Sequence, residues 1–201
     1  MATKSERWNH NIHYHPVIFD AIHGHPEQAL DVGCGEGALT RELRAVVPQV
    51  TAIDADPASI DLARQQDRGS RIDYLLGDFL TFPFEPNSFD VIASVATLHH
   101  MDTTAALARM RDLLRPGGTL AVVGLARTRI PLDLPIELAA VIAHRFHLLT
   151  KSLWQHPSPT LWPPPHTYSE MRRLAAEVLP GVRYQRHLLW RYSLTWTKPR
   201  S

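Results

Sequence analysis

The chain has 201 residues, 44% of them apolar and 20% charged, with a formal net charge of +1. That is enough for one well-buried core and a small extra lobe, at ordinary globular composition. The single cysteine, Cys34, excludes an internal disulfide and a cysteine-rich zinc or iron–sulfur site. The longest apolar-leaning stretch, residues 134–149, carries Glu137, His144, Arg145 and His147 and is excluded as a membrane span.

The charge is uneven. Residues 1–126 hold 10 Lys and Arg against 16 Asp and Glu, while residues 127–201 hold 11 against 4. A solvated basic face is the commoner meaning of such asymmetry, and an anionic substrate or RNA the sharper one. Residues 1–15 are charged and histidine-rich, without the apolar run of a signal peptide. A cytoplasmic protein with no membrane partner is expected, as a monomer or homodimer.

In chain order, residues 1–6 are polar, and Trp8, His10, His13, Tyr14 and His15 form a ring-rich stretch. Pro16 opens a short helix over residues 16–23, with Val17, Ile18, Ala21 and Ile22 on one face. This N-terminal segment, residues 1–25, is expected to act as a lid, and residues 1–14 hold too few aliphatics for the sheet to need them. Leu30 and Val32 end a first strand, three alternate glycines follow, and a helix begins at Ala38. A second strand over residues 50–53 ends at Asp54, and Asp56 with Pro57 starts the next helix. Ile72–Leu76 reads as a third strand ending in Gly77, Asp78 and Phe79. Phe89–Val95 is a fourth, leading to Thr97, Leu98, His99 and His100. A helix over 103–114, a turn over 115–118 and a fifth strand over 119–124 complete a core spanning residues 26–125.

The rest is less regular. Residues 126–166 read as an insertion containing a helix, Leu134–Thr150, and an extended connector rich in proline (Pro157, Pro159, Pro163, Pro164, Pro165). A last helix, capped by Thr167 or Ser169, runs to Leu179, and strands over 182–187 and 189–197 form a C-terminal hairpin within residues 167–201. Alternating strands and helices predict one doubly wound α/β domain, its mostly parallel sheet covered on both faces. Right-handed crossovers bring the strand C-terminal ends to one edge, where such sheets bind ligands. Asp31, Asp54, Asp78 and the stretch from Val95 to His100 all fall there.

The glycine turn admits two cofactors. Gly33-x-Gly35-x-x-Ala38 satisfies a dinucleotide fingerprint, with Asp54 placed to bind ribose hydroxyls. The same residues read as the glycine motif of S-adenosylmethionine enzymes. Asp31 leans to the second: a carboxylate there repels a pyrophosphate and suits an ammonium group. Its plainer role is to hold down the loop through backbone N–H groups.

With Leu30, Asp31, Val32, Gly33, Cys34, Gly35, Glu36 and Gly37, then Ile53 and Asp54, Gly77 and Asp78, Phe89 to Ile92, and Leu114 to Gly118, the chain resembles the class I S-adenosylmethionine-dependent methyltransferases. The resemblance covers residues 28–125. It implies seven strands in the order 3-2-1-4-5-7-6, the seventh antiparallel. It places Asp31, Gly33 and Gly35 around the methionine part of S-adenosylmethionine, and Asp54 and Ala55 at the ribose. Asp78 and Phe79 fall at the adenine and Val95 on the methyl-transfer side, while Asp90 and the 115–118 turn are structural. His13 and Tyr14 are cofactor contacts if the lid closes, and His99 and His100 are candidate general bases.

The implied activity is methyl transfer to O, N or C of a small-molecule acceptor, giving S-adenosylhomocysteine. A tRNA or protein methyltransferase, a nicotinamide oxidoreductase and a non-catalytic cofactor-binding protein are the alternatives. No aromatic–basic RNA module is visible, so no nucleic-acid partner is expected. His10, His13, His15, His23 and His25 lack partner cysteines, and no metal site is expected. Leu134, Ile136, Val141, Ile142 and Phe146, with Trp154, Trp162, His166 and Tyr168, are expected to enclose an apolar pocket for an acceptor with an aromatic or carboxylate group. Arg127, Arg129, Arg145 and Lys151 are among its few polar neighbours.

Overall fold

The computed structural model describes residues 8–67, 69, 71–129, 131, 133–150, 154 and 162–200. Its seven strands are β1 (Gln28–Val32), β2 (Gln49–Asp54), β3 (Ile72–Leu76), β4 (Phe89–Val95), β5 (Leu114–Gly124), β6 (Arg183–Arg186) and β7 (Tyr192–Thr197). They lie in the order β3-β2-β1-β4-β5-β7-β6. The first five are parallel, and β7 runs antiparallel between β5 and β6. The expected sheet order is therefore the observed one.

Period-two alternation divides the strand residues between two cores. Leu30 and Val32 face one side with Leu107 and Met110 of α4 (Thr103–Leu113) and Met171 and Ala175 of α6 (Tyr168–Val178). Ala29 faces the other side with Ile18 of α1 (His15–Ala21), Leu39 and Leu43 of α2 (Ala38–Arg44), and Ile60 and Ala63 of α3 (Pro57–Gln66). Asp31, two residues after Ala29, shares that second face. A register shift between Phe89 and Val91 lets Phe89 and Ile92 reach the same core despite their odd spacing.

Two boundaries moved. β5 begins at Leu114, so the expected turn over 115–118 belongs to the strand, with Gly117 at φ +84°. β7 begins at Tyr192 and not at residue 189, because Leu189 and Trp190 take left-handed φ of +56° and +58°. Two consecutive non-glycine residues in that region end extended pairing.

The N-terminal segment contributes to the core. Trp8 and Tyr14 are buried in the α1–α3 core beside Ile18. The Tyr14 hydroxyl donates to the Leu188 carbonyl at 2.6 Å, and Trp154 N–H donates to the Trp8 carbonyl at 2.8 Å. These aromatics lie in the stretch that the sequence reading took to be dispensable for the sheet. Residues 1–7 lie outside the described residues, as do Lys151, Pro157 and Pro159 of the expected insertion.

Asp90 joins three elements. Both its oxygens lie 3.0 Å from Arg115 Nη1, and one also accepts from the Glu27 and Gln28 N–H groups at 2.9 Å. Partial burial pushes its pKa up, but these donors prevail and hold it below the usual carboxylate range. Asp90→Ala leaves those donors without their acceptor and should cost about 1–3 kcal/mol of stability in urea unfolding. A wild-type midpoint would show that the start of β1 is held by other means.

Candidate active site

The parallel register aligns the strand ends: Val32 lies opposite Ile53, and Asp54 opposite Leu76. Asp31, Asp54 and Asp78 thus stand along one edge, beside the glycine turn between β1 and α2. Gly33, Gly35 and Gly37 all have positive φ, between +54° and +77°. A side chain on Gly33 would also strike Thr97, whose Oγ1 lies 2.1 Å from the added Cβ. The Thr97 hydroxyl is within 3.2 Å of the Gly33 and Val95 carbonyls, so the segment after β4 locks onto the turn.

The turn is tied to β2. Gly33 and Cys34 N–H groups donate to the Ile53 carbonyl at 2.8 and 3.2 Å. Gly35 N–H donates to Asp54 Oδ2 at 2.8 Å, and Asp56 N–H to Asp54 Oδ1 at 2.9 Å. Asp54, and not Asp31, is therefore the carboxylate that holds down the loop. Asp54 keeps partial exposure, Ala55 is exposed, and further lone pairs of Asp54 remain for a ligand.

Asp31 is 1% exposed, and its Oδ2 accepts from Thr40 Oγ1 of α2 at 2.6 Å. Burial pushes its pKa up to about 6, against the Thr40 bond and the nearby His15 and with help from the Asp54 charge. The Cys34 thiol is buried and its pKa pushed up, which makes it a packing group rather than a nucleophile. Asp78 is exposed and accepts from Leu80 N–H at 2.9 Å. Phe79 is buried in the α4–α6 core, with Arg109 over its ring.

Val95 is half-buried at the end of β4. A 3-10 turn, Leu98–His100, follows, with the two imidazoles 4.1 Å apart. His99 is buried, its Nδ1 has no partner, and its pKa is lowered to about 4 by desolvation, by His100 and by Arg191. His100 is exposed, and its pKa is also lowered, chiefly by desolvation.

His13 and Tyr14 sit in a separate ring cluster. Trp8 stacks on His147 at 4.7 Å, His13 meets His147 at 5.0 Å, and His10 Nε2 lies 3.0 Å from His144 Nδ1. The cluster joins the N-terminal segment to α5 (Leu134–Thr150) and to the turn before β7, where Trp190 Nε1 donates to Glu137 Oε2 at 2.8 Å. Among the described residues no group of three His, Cys, Asp or Glu is arranged to hold a metal.

Among the described residues, much of the expected apolar pocket lining does not turn inward. α5 turns Glu137, Ala140 and His144 inward, while Leu134, Val141, Ile142 and Phe146 are exposed. Trp162 is 69% exposed, and Tyr168 is buried under Arg186. A concavity of about 570 Å³, lined by Gln28, Ile72 and Phe89 among others, opens near the strand starts, remote from the carboxylate edge. Sequence reading also missed Thr40, Thr97, Asn11 and Arg191, which act through contacts between distant segments.

A carboxyl whose folded pKa lies above its unfolded value is protonated more readily in the folded state. The Asp31 charge therefore weakens the fold above about pH 6, and that cost fades as pH falls toward 4. Between pH 7 and pH 4 the wild type should gain about 2 kcal/mol relative to Asp31→Asn. Urea unfolding across that range measures it; parallel curves for the two proteins would place the titration elsewhere.

The methyltransferase-domain family profile matches residues 30–122. An uncharacterized methyltransferase of Mycobacterium tuberculosis is 36% identical over 193 residues, covering 96% of this chain and 98% of that protein. A ubiquinone biosynthesis O-methyltransferase of Xanthomonas euvesicatoria is 36% identical over 120 residues, covering 58% of this chain and 50% of that one. A solved S-adenosylmethionine-dependent methyltransferase of Methanosarcina mazei shares the fold at a TM-score of 0.64 and 19% identity, over 92% of this chain and 98% of that one. These relationships set aside the nicotinamide oxidoreductase. The chain belongs to the class I S-adenosylmethionine-dependent methyltransferases, and S-adenosylmethionine is its cofactor.

Proposed function

We propose that the protein transfers a methyl group to an oxygen of a small-molecule acceptor. The observation that carries the reading is the row of Asp31, Asp54 and Asp78 at three adjacent parallel strand ends beside a glycine turn. The chemistry of that row fits the cofactor: acceptors for an ammonium, a pair of ribose hydroxyls and an adenine amino group. When bound, the cofactor supplies an activated methyl on a sulfonium sulfur. Asp31 would hold the ammonium, Gly33 and Gly35 would admit the methionine part, and Asp54 with Ala55 would hold the ribose. Asp78 would face the adenine, and the Phe79 backbone would flank it. Val95 would border the acceptor, whose alignment with the methyl is the enzyme's main task.

The choice of oxygen is supported by the name of the ubiquinone-biosynthesis relative. A small acceptor is favoured over an RNA because the N-terminal segment, α5 and the turn before β7 close together on the side facing His99. His100 is the candidate general base, since it is exposed at the end of β4, while His99 is buried with its pKa too low for the role. His13 and Tyr14 would support this enclosure through the ring cluster.

Isothermal titration tests the cofactor site. S-adenosylhomocysteine should bind and NAD should not. Asp54→Ala should weaken that binding by about 1.5–3 kcal/mol, the worth of charge-assisted hydrogen bonds. Saturable NAD binding, or an unchanged affinity in the folded variant, would contradict the assignment.

His100→Ala should lower kcat about 100-fold with S-adenosylhomocysteine affinity intact, the lower end of general-base contributions. A kcat equal to wild type would assign His100 to packing and require an acceptor whose nucleophile needs no base.

A further inference from the structure

Among the described residues, Arg191 is a buried cation with no carboxylate partner. It is 7% exposed. Its guanidinium makes four hydrogen bonds: Nε and Nη2 donate to Asn11 Oδ1 at 3.1 and 2.7 Å, and Nη1 lies 3.2 Å from both the Leu189 and Trp190 carbonyls. Every acceptor is neutral. Arg115 meets Asp90, Arg111 meets Asp112, and Arg186 meets Asp133 and Glu137. Arg41, Arg64 and Arg109 meet neutral oxygens, but none of the three is fully buried as Arg191 is. An uncompensated charge in a desolvated place is costly to the fold, so a buried arginine is ordinarily paired.

Its position is on the ligand edge. Tyr192, the next residue, pairs with Gly124 at the C-terminal end of β5. The Arg191 bonds to Asn11 set the guanidinium against the N-terminal segment, and its charge is felt at His10 and Tyr14 there and at His99 beyond β4. Desolvation lowers its pKa only to about 10, and it stays charged at neutral pH. The Nε/Nη2 side of the fork, which suits two parallel bonds to a carboxylate, is filled by the single oxygen of Asn11. A second Nη2 hydrogen is left over.

We propose that Arg191 is the anion-recognition residue of the acceptor site: the methyl acceptor carries a carboxylate, which takes the Nε/Nη2 fork from Asn11. This inference rests on the methyltransferase reading above. Asn11 keeps the fork solvated while the site awaits its ligand. An aspartate at position 11 would neutralise the site permanently.

The test uses the full-length protein saturated with S-adenosylhomocysteine and titrated calorimetrically with acetate, succinate and benzoate. Acetamide, succinamide and benzamide are the neutral controls, and inorganic phosphate is a separate arm. At least one carboxylate should bind saturably, and its amide at least about tenfold more weakly. Asn11→Asp should raise the melting temperature of the free protein and abolish carboxylate binding while S-adenosylhomocysteine still binds. Arg191→Met should also abolish it; should that variant fail to fold, Asn11→Asp decides alone. No carboxylate binding, equal binding of acid and amide, binding of phosphate only, or undiminished binding by Asn11→Asp would each overturn the proposal. Failure of S-adenosylhomocysteine to bind the wild type would instead overturn the cofactor site, so the two failures are distinguishable.

Discussion

Burying the Asp31 carboxylate at the end of the central strand costs more than one hydroxyl hydrogen bond returns. Much of the cofactor side is arranged around that imbalance. Thr40 reaches Asp31 because the glycines turn the chain tightly enough for α2 to begin at Ala38. His15 is carried to the same face by α1, and its field opposes the rise in the Asp31 pKa. Asp54, a like charge on the adjacent strand, stays partly exposed with two N–H groups on its oxygens. Among the described residues neither Asp31 nor Asp54 forms an ion pair with a cationic side chain. A ligand that set an ammonium group beside Asp31 would offset the cost of burying that charge.

The two sides of the reaction are assembled differently. Asp31 to Phe79 lie close in sequence and reach one edge through sheet topology alone. The opposite side draws on residues far apart in the chain: Asn11 and Arg191, His10 and His144, Trp8 and His147, Glu137 and Trp190. On the proposed function, the common chemistry would be held by the sheet, while acceptor recognition would depend on how additions to it pack together.

That division explains what could be read from the sequence. Strand ends and the glycine turn are local patterns, and the sheet order came through the family resemblance that those patterns carry. The Thr167 cap was legible too, with Glu170 three residues on completing the capping box. Three things were not. The loop-holding role offered for Asp31 falls to Asp54, because hydrogen-bond partners depend on where the turn folds back. The apolar residues of α5 looked like a pocket lining, but its helical spacing does not say which face is inward. Arg191 gave no signal at all: it fell within the strand expected over 189–197, and its partner Asn11 lies 180 positions away in the chain.

Arg127 and Thr167 form a parallel bridge, with the Arg127 N–H donating to the His166 carbonyl at 2.8 Å. The chain leaves the sheet after β5 and returns to it at one point. An excursion closed at its base is nearly free to change length, since doubling a loop adds only about 0.6 kcal/mol of closure entropy. A change of length between those residues leaves the bridge at its base in place, whereas replacing α5 gives up the contacts of Asp133 with Arg186 and of Glu137 with Trp190.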